Sequence, residues 1–150
     1  MKRITVLVVL VVASLFASAQ VQNPVKWVYK LKNVNATTYE VHITATIDKG
    51  WHIYSQTTPD GGPVPTSISF SKNPLLELTG ATREEGKLEQ RHEPLFGVDV
   101  KQFSNTVNFV QTIKVKVKVK TAVTGTVEYM ICNDRECLPP TTNKFSLAIQ

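Results

Sequence analysis

The chain has 150 residues and 42% hydrophobic side chains, which gives room for one ordinary domain. A domain of this length buries most of the apolar surface of its unfolded chain, so it does not depend on cross-links to fold. The formal net charge is +5, and Lys2 and Arg3 account for two of these charges. The rest of the chain is too mildly basic to indicate a nucleic-acid partner.

The first residues are typical of a secretory signal peptide. Lys2 and Arg3 precede an apolar run from Ile4 to Phe16, and Ala17-Ser18-Ala19 has the small-x-small form of a cleavage site. The apolar run of about 13 residues is shorter than the roughly 20 that a membrane-spanning helix needs. We therefore predict a signal peptide over residues 1–19 and a periplasmic or secreted mature domain over 20–150, without a membrane span, in a compartment where disulfides persist.

After the predicted signal peptide, apolar and polar residues alternate with a period of two, which indicates strands with one buried face. Val41, Ile43, Ala45 and Ile47 are predicted to face a core. The run IKVKVKVK over residues 113–120 predicts a further strand with its valines buried and its lysines in solvent.

Turn signals separate these runs at short intervals, which favours an all-β fold, an immunoglobulin-like antiparallel β-sandwich, with a small barrel as the second choice. Within it, we expect Trp51 and Tyr54 to pack in the sheet and His52 to lie on the surface. The turn signals are Asp48-Lys49-Gly50, Pro59 to Pro63, Lys72-Asn73-Pro74, Glu85-Gly86-Lys87 and Thr124-Gly125.

The two cysteines, Cys132 and Cys137, lie in the segment YMICNDRECLPP. A structural zinc site needs four ligands, and the three histidines of the chain have no recognisable ligand spacing, so no metal is expected. A disulfide across so short a loop would stabilise the fold by only roughly 2 kcal/mol in the chain-entropy model. A dithiol that opens and closes needs its two sulfurs close together. The spacing leaves both a structural bridge and a redox pair open, with the redox pair slightly favoured.

The sequence resembles the N-terminal periplasmic domain of the thiol:disulfide interchange protein DsbD, and the resemblance covers essentially the whole mature chain. The cysteine segment is the most specific part of this resemblance. The blocks that carry it are Gly50 to Ser55, Pro59 to Thr66, Phe96-Gly97, Val123 to Tyr129 and Cys132 to Pro140.

The resemblance implies an immunoglobulin-like domain that needs no cofactor. It implies that Cys132 and Cys137 exchange disulfides, with Cys137 attacking the partner and Cys132 resolving the mixed disulfide. It also implies a cap loop that shields the sulfurs with an aromatic side chain, Phe96, or with Leu95 if the register slips by one. Glu93 matches an acidic position near the cysteines that could tune thiol ionisation or shuttle a proton.

The family implies a membrane-embedded thiol reductase as the electron source. The implied acceptors are thioredoxin-like and disulfide-isomerase-like periplasmic proteins, including cytochrome c maturation factors. Well-known members have one more residue between the cysteines, and here neither a membrane domain nor a thioredoxin-like domain accompanies the domain. We therefore expect a monomeric exchange domain that receives electrons from a separate protein. The alternative is a secreted immunoglobulin-like binding or structural module whose short disulfide only pins a loop.

Overall fold

The computed structural model describes residues 23–117 and 120–150, and its regular elements there are all strands. The predicted signal peptide lies outside the described residues. None of the described residues forms a helix that could cross a membrane. The strands are β1 (Val25–Asn33), β2 (Thr38–Ile47), β3 (His52–Tyr54), β4 (Ser67–Phe70), β5 (Leu76–Glu93), β6 (Val98–Val115), β7 (Thr121–Tyr129), β8 (Ile131–Cys132) and β9 (Thr141–Ile149).

The strands form two antiparallel sheets. The larger sheet has the order β1-β2-β6-β3-β8, and β5 pairs with the other edge of β6. The smaller sheet has the order β4-β7-β9. Side chains from both sheets meet in one apolar core, so the predicted immunoglobulin-like β-sandwich is confirmed.

Strand β6 organises the larger sheet because it is long enough to pair with two different strands along one edge. Residues Thr106 to Lys114 pair with β2, whereas Gln102 to Ser104 pair with β3. Between these two stretches Asn105 takes a positive φ of 66°. Asparagine tolerates this left-handed conformation better than most residues. The irregularity allows β6 to change partners, and it places β3 beside the cysteine segment.

The core follows the predicted alternation in β2. Val41, Ile43 and Ala45 are fully buried, and Ile47 is nearly so. Aromatic rings join the two sheets: the ring centroid of Trp27 in β1 lies 5.0 Å from that of Tyr129 in β7.

The predicted strand over residues 113–120 is only partly correct. Strand β6 ends at Val115, which is buried, and the chain then bends at Lys116 and Val117. The side chain of Val117 is 54% exposed, and Val119 lies outside the described residues. At the bend Lys116 donates its N–H to the carbonyl of Leu75, the residue before β5.

Two predicted turns are wrong. Their glycines lie within strands, where the missing side chain allows neighbouring atoms to pack closely. Glu85-Gly86-Lys87 lies inside β5, where the register shifts between Gly86 and Leu88, and a Cβ on Gly86 would lie 3.1 Å from the carbonyl oxygen of Thr106. Thr124-Gly125 lies inside β7. A Cβ on Gly125 would overlap the Ser69 carbonyl oxygen and come within 2.6 Å of Phe145 Cζ. A glycine in a strand therefore marks a close approach here as readily as a turn.

We expect Gly125→Ala to lower the free energy of unfolding by about 2 kcal/mol, because the added methyl group meets backbone that no rotamer change can move. Urea denaturation of the purified oxidised domain measures this. Ser69→Ala is the matched control: it keeps the carbonyl oxygen, lies at an exposed position and should change stability by less than about 0.5 kcal/mol. Equal stability of Gly125→Ala and the control would contradict the packing described.

Candidate functional site: the disulfide end of the larger sheet

The two cysteines form a disulfide at one end of the larger sheet, with their Cα atoms 4.0 Å apart. Cys132 ends β8 and is completely buried. Cys137 lies on the returning arm of the loop, opposite Cys132, and is half-buried. The pair is therefore asymmetric, because only the second sulfur belongs to a residue with appreciable solvent access.

The loop between the cysteines is held by its own hydrogen bonds. The side-chain oxygen of Asn133 accepts the backbone N–H of Arg135 at 2.8 Å and that of Glu136 at 2.9 Å. The N–H of Asn133 donates to the carbonyl of Glu136, and the N–H of Leu138 donates to the carbonyl of Ile131, both at 2.9 Å. This is an Asx-type turn that closes a tight hairpin. The hairpin keeps the two cysteines adjacent by contacts that do not involve sulfur.

Strand β3 sets what lies beside the buried cysteine. His52 is directly opposite Cys132, and Ile53 is directly opposite Ile131. The two isoleucines face the core between the sheets, so His52 and Cys132 share the opposite face. On that face Cys132 packs in a small apolar cluster with Tyr54 and Val100, which Val98, Met130 and Cys137 complete.

A buried polar network lies on the same face. Tyr54 donates its hydroxyl to Glu93 Oε2 at 3.0 Å. His52 Nε2 lies 3.1 Å from the Tyr54 hydroxyl and 3.2 Å from Glu93 Oε2. All three side chains are buried, with residue exposures of 3% for His52, 0% for Tyr54 and 3% for Glu93. When Glu93 is ionised it only accepts hydrogen bonds, so Nε2 is then the donor and Nδ1 is the acceptor nitrogen of the neutral ring.

The surroundings shift the ionisation of this network. Burial lowers the pKa of the His52 imidazole, and its hydrogen bond to Glu93 opposes this shift only in part. Burial also raises the pKa of the Tyr54 hydroxyl, and the nearby Glu93 carboxylate raises it further. At neutral pH the network therefore consists of a neutral imidazole and a neutral phenol around one carboxyl group.

The β5–β6 hairpin tip carries the predicted cap residues. Glu93 ends β5, and its carbonyl accepts the N–H groups of Phe96 at 3.2 Å and Gly97 at 2.8 Å, which closes the turn. Leu95 is 46% exposed and Phe96 is 37% exposed. Neither belongs to the apolar cluster around the cysteines, although Val98 at the start of β6 does. Phe96 is thus not an ordinary core residue, and its role as a cap stays a prediction.

A family model for the N-terminal domain of the thiol:disulfide interchange protein DsbD matches residues 19–149. The chain belongs to this family. Among curated proteins none matches the chain significantly.

Solved structures of DsbD-type domains share the fold. The N-terminal periplasmic domain of ScsB from Proteus mirabilis aligns with a TM-score of 0.59 and 12% identity over 88% of this chain and 48% of that one. The chain thus spans about half the length of that ScsB structure. The reduced N-terminal domain of Neisseria meningitidis DsbD aligns with a TM-score of 0.51 and 16% identity, over 81% of this chain and 84% of that one.

The complex between the DsbD and PilB N-terminal domains from Neisseria meningitidis aligns with a TM-score of 0.50 and 16% identity, over 80% of each chain. At these identities the structural likeness establishes the fold alone. Membership of the DsbD family, together with a disulfide-bonded cysteine pair, supports thiol-disulfide exchange.

The DsbD-type site contains two residues that the sequence analysis did not place in it. His52 was expected on the surface, which is wrong: β3 is only three residues long and is buried on both faces. Tyr54 was expected to pack, and it does, but its hydroxyl also joins the network. A strand covered on both faces shows no alternation of apolar and polar residues, so its sequence carried no signal for this arrangement.

The described residues hold no group of three or more His, Cys, Asp or Glu side chains arranged to bind a metal ion. One ion pair ties the hairpin to the cysteine loop, since Arg91 Nη2 lies 3.4 Å from Asp134 Oδ1. Both side chains are well exposed, so this pair contributes little to stability.

We expect Tyr54→Phe to lower the free energy of unfolding by about 1–3 kcal/mol, because buried Glu93 loses a hydrogen-bond donor. The oxidised domain is compared by urea denaturation at pH 7. Tyr39→Phe is the control: Tyr39 is half-buried against the core, and its hydroxyl makes no hydrogen bond within the described residues. The control should stay within about 0.5 kcal/mol of the wild type. Wild-type stability of Tyr54→Phe would contradict the network.

Proposed function

We propose that this chain is a periplasmic thiol-disulfide exchange domain. In its reduced form the Cys132/Cys137 pair passes two electrons to oxidised periplasmic thiol proteins, and a membrane-embedded thiol reductase supplies those electrons. The observation that carries the proposal is the cysteine loop. Its hairpin is closed by backbone and Asn133 hydrogen bonds, which keeps both thiols adjacent when the disulfide is open.

The asymmetry of the pair supports a division of roles. A sulfur that attacks a partner protein must reach solvent, and Cys137 is the half-buried member. The resolving thiol acts only inside the mixed disulfide, so complete burial of Cys132 is compatible with that role. Cys137 is therefore the proposed nucleophile and Cys132 the proposed resolving residue.

The acceptor is proposed to be another protein with a thioredoxin-like or disulfide-isomerase-like domain, including cytochrome c maturation factors. The structure of a DsbD N-terminal domain in complex with the PilB N-terminal domain supports a protein partner. The signal peptide, with cleavage near Ala19, and a monomeric mature domain are part of the same proposal. The exposed hairpin tip, with Leu95 and Phe96, is proposed to shield the sulfurs until a partner displaces it.

The proposal predicts that Cys132→Ser traps a mixed disulfide in the native host. Cys137 still attacks the partner, but no thiol is left to resolve the bond. The complex should run as a larger species on a non-reducing gel and disappear with dithiothreitol. Mass spectrometry should identify a protein with a thioredoxin-like domain attached at Cys137.

The matched control is Cys137→Ser, which leaves only the buried sulfur and should trap far less. A double serine variant should trap nothing. If Cys132→Ser captures no exported thiol protein in the native host, exchange is contradicted, and the short disulfide is then a loop pin in a binding or structural module.

A further inference from the structure

We propose that His52, oriented by Glu93, is the general base that deprotonates the resolving thiol of Cys132. The inference rests on the proposed exchange function and assigns a catalytic residue to its second step. The burial of Cys132 creates a chemical problem for this second step. A thiol attacks only as its thiolate, and burial in apolar surroundings disfavours that form. The fully buried Cys132 therefore needs a proton acceptor close by.

The register of the strands places a proton acceptor next to Cys132. His52 and Cys132 are directly opposite residues of the antiparallel β3–β8 pair and share one face of the sheet. The Cβ atoms of such residues lie about 4.5–5.5 Å apart, which brings an imidazole within reach of the opposite sulfur. His52 is thus the cross-strand neighbour of the resolving cysteine and not of the attacking one.

The hydrogen bonds of His52 leave the correct nitrogen available. Nε2 makes the contacts to Glu93 and Tyr54, and no hydrogen bond in the described part of the chain uses Nδ1. A carboxylate that fixes one ring nitrogen, with the other left to accept a proton from a nucleophile, is the arrangement by which proteins activate serine and cysteine. Glu93 also stabilises the imidazolium that forms when the proton arrives.

Burial outweighs the charges around His52 in setting its ionisation. Glu93 on β5 and Asp134 on the cysteine loop raise its pKa by their charge, whereas Arg91 on β5 lowers it. Tyr54 on its own strand contacts the ring, and Cys132 on β8 is its cross-strand neighbour. Burial, the largest effect, lowers the pKa of His52 and keeps the ring neutral at pH 7, ready to take a proton.

With glutathione disulfide as the oxidant, the exchange has two steps. The Cys137 thiolate bonds to one sulfur of glutathione disulfide and releases the first glutathione thiolate. The Cys132 thiol gives its proton to His52 Nδ1, and its thiolate attacks the Cys137 sulfur. The Cys132–Cys137 bond forms, the second glutathione thiolate leaves and the imidazolium returns the proton to it. The domain loses two electrons, which glutathione disulfide gains.

The test follows both steps separately. Reduced domain is mixed with millimolar glutathione disulfide, quenched with acid at intervals and weighed by mass spectrometry, which resolves the reduced, glutathionylated and oxidised forms. For His52→Gln we expect the adduct to form at the wild-type rate. We expect its resolution at pH 7 to be about 100-fold slower, the lower end of the range for general-base catalysis. The control is His92→Gln, which removes an exposed imidazole from the β5–β6 hairpin. This variant should resolve the adduct at the wild-type rate.

The pH profile separates a base from a residue that only holds the fold. The deficit of His52→Gln should shrink as the pH rises, because hydroxide then increasingly replaces His52 as the base that removes the Cys132 proton. A deficit that is equal at every pH would overturn the assignment. Glu93→Gln keeps the imidazole but weakens its orientation, so it should show a smaller deficit and serves if His52→Gln does not fold.

The outcomes also distinguish the two proposals. A wild-type domain that forms a mixed disulfide neither with glutathione disulfide nor with an oxidised thioredoxin-like protein overturns the exchange function, and this inference with it. A wild-type domain that forms and resolves the adduct, alongside a His52→Gln variant with the same resolution rate at pH 7, overturns this inference alone.

Discussion

The site depends on the way β6 changes partners along one edge. Its pairing with β2 ends near Asn105, and its pairing with β3 begins one residue further towards the N-terminus. That switch brings the short strand β3 between β6 and β8, and β8 carries the first cysteine. The other edge of β6 holds β5, whose last residue is Glu93. One long strand therefore brings together a histidine, a carboxyl group and a disulfide that are far apart in sequence.

The second constraint is local and concerns the cysteine loop. A disulfide that closes so short a loop adds roughly 2 kcal/mol by chain entropy. The hydrogen bonds of Asn133 already close the turn. Opening the bridge therefore removes little of what holds the loop, and a two-state dithiol and disulfide pair can cycle without unfolding. The hydrogen bonds of the buried network give a physical reason for a histidine and a glutamate that are only 3% exposed.

The sequence predicted the fold class because apolar and polar residues alternate clearly in long strands that have one solvent-exposed face. In β2 every predicted core position is buried. It predicted poorly where tertiary packing overrides local signals. Gly86 and Gly125 were interpreted as turn residues, yet each allows a close approach of backbone or rings inside a strand. The strand predicted over the lysine-valine run at residues 113–120 ends early, because the chain bends after Val115.

In the candidate site, too, some residues could be predicted from the sequence and others could not. The cysteines were evident from their spacing and from the family resemblance. Glu93 was identified through the resemblance, although nothing in its local sequence indicates a buried carboxyl group. His52 was missed because a three-residue strand covered on both faces has no periodicity to interpret, and its closeness to Cys132 depends on a pairing between residues 80 positions apart.

The central claim is that the Cys132–Cys137 pair opens and closes in function. The most direct test is its reduction potential, measured by equilibrating the purified mature domain with graded thiol-disulfide buffers and counting free thiols by mass. The account predicts a value well above about −300 mV, where labile and catalytic disulfides lie. A value below about −300 mV would identify a bridge that resists reduction and would contradict the account.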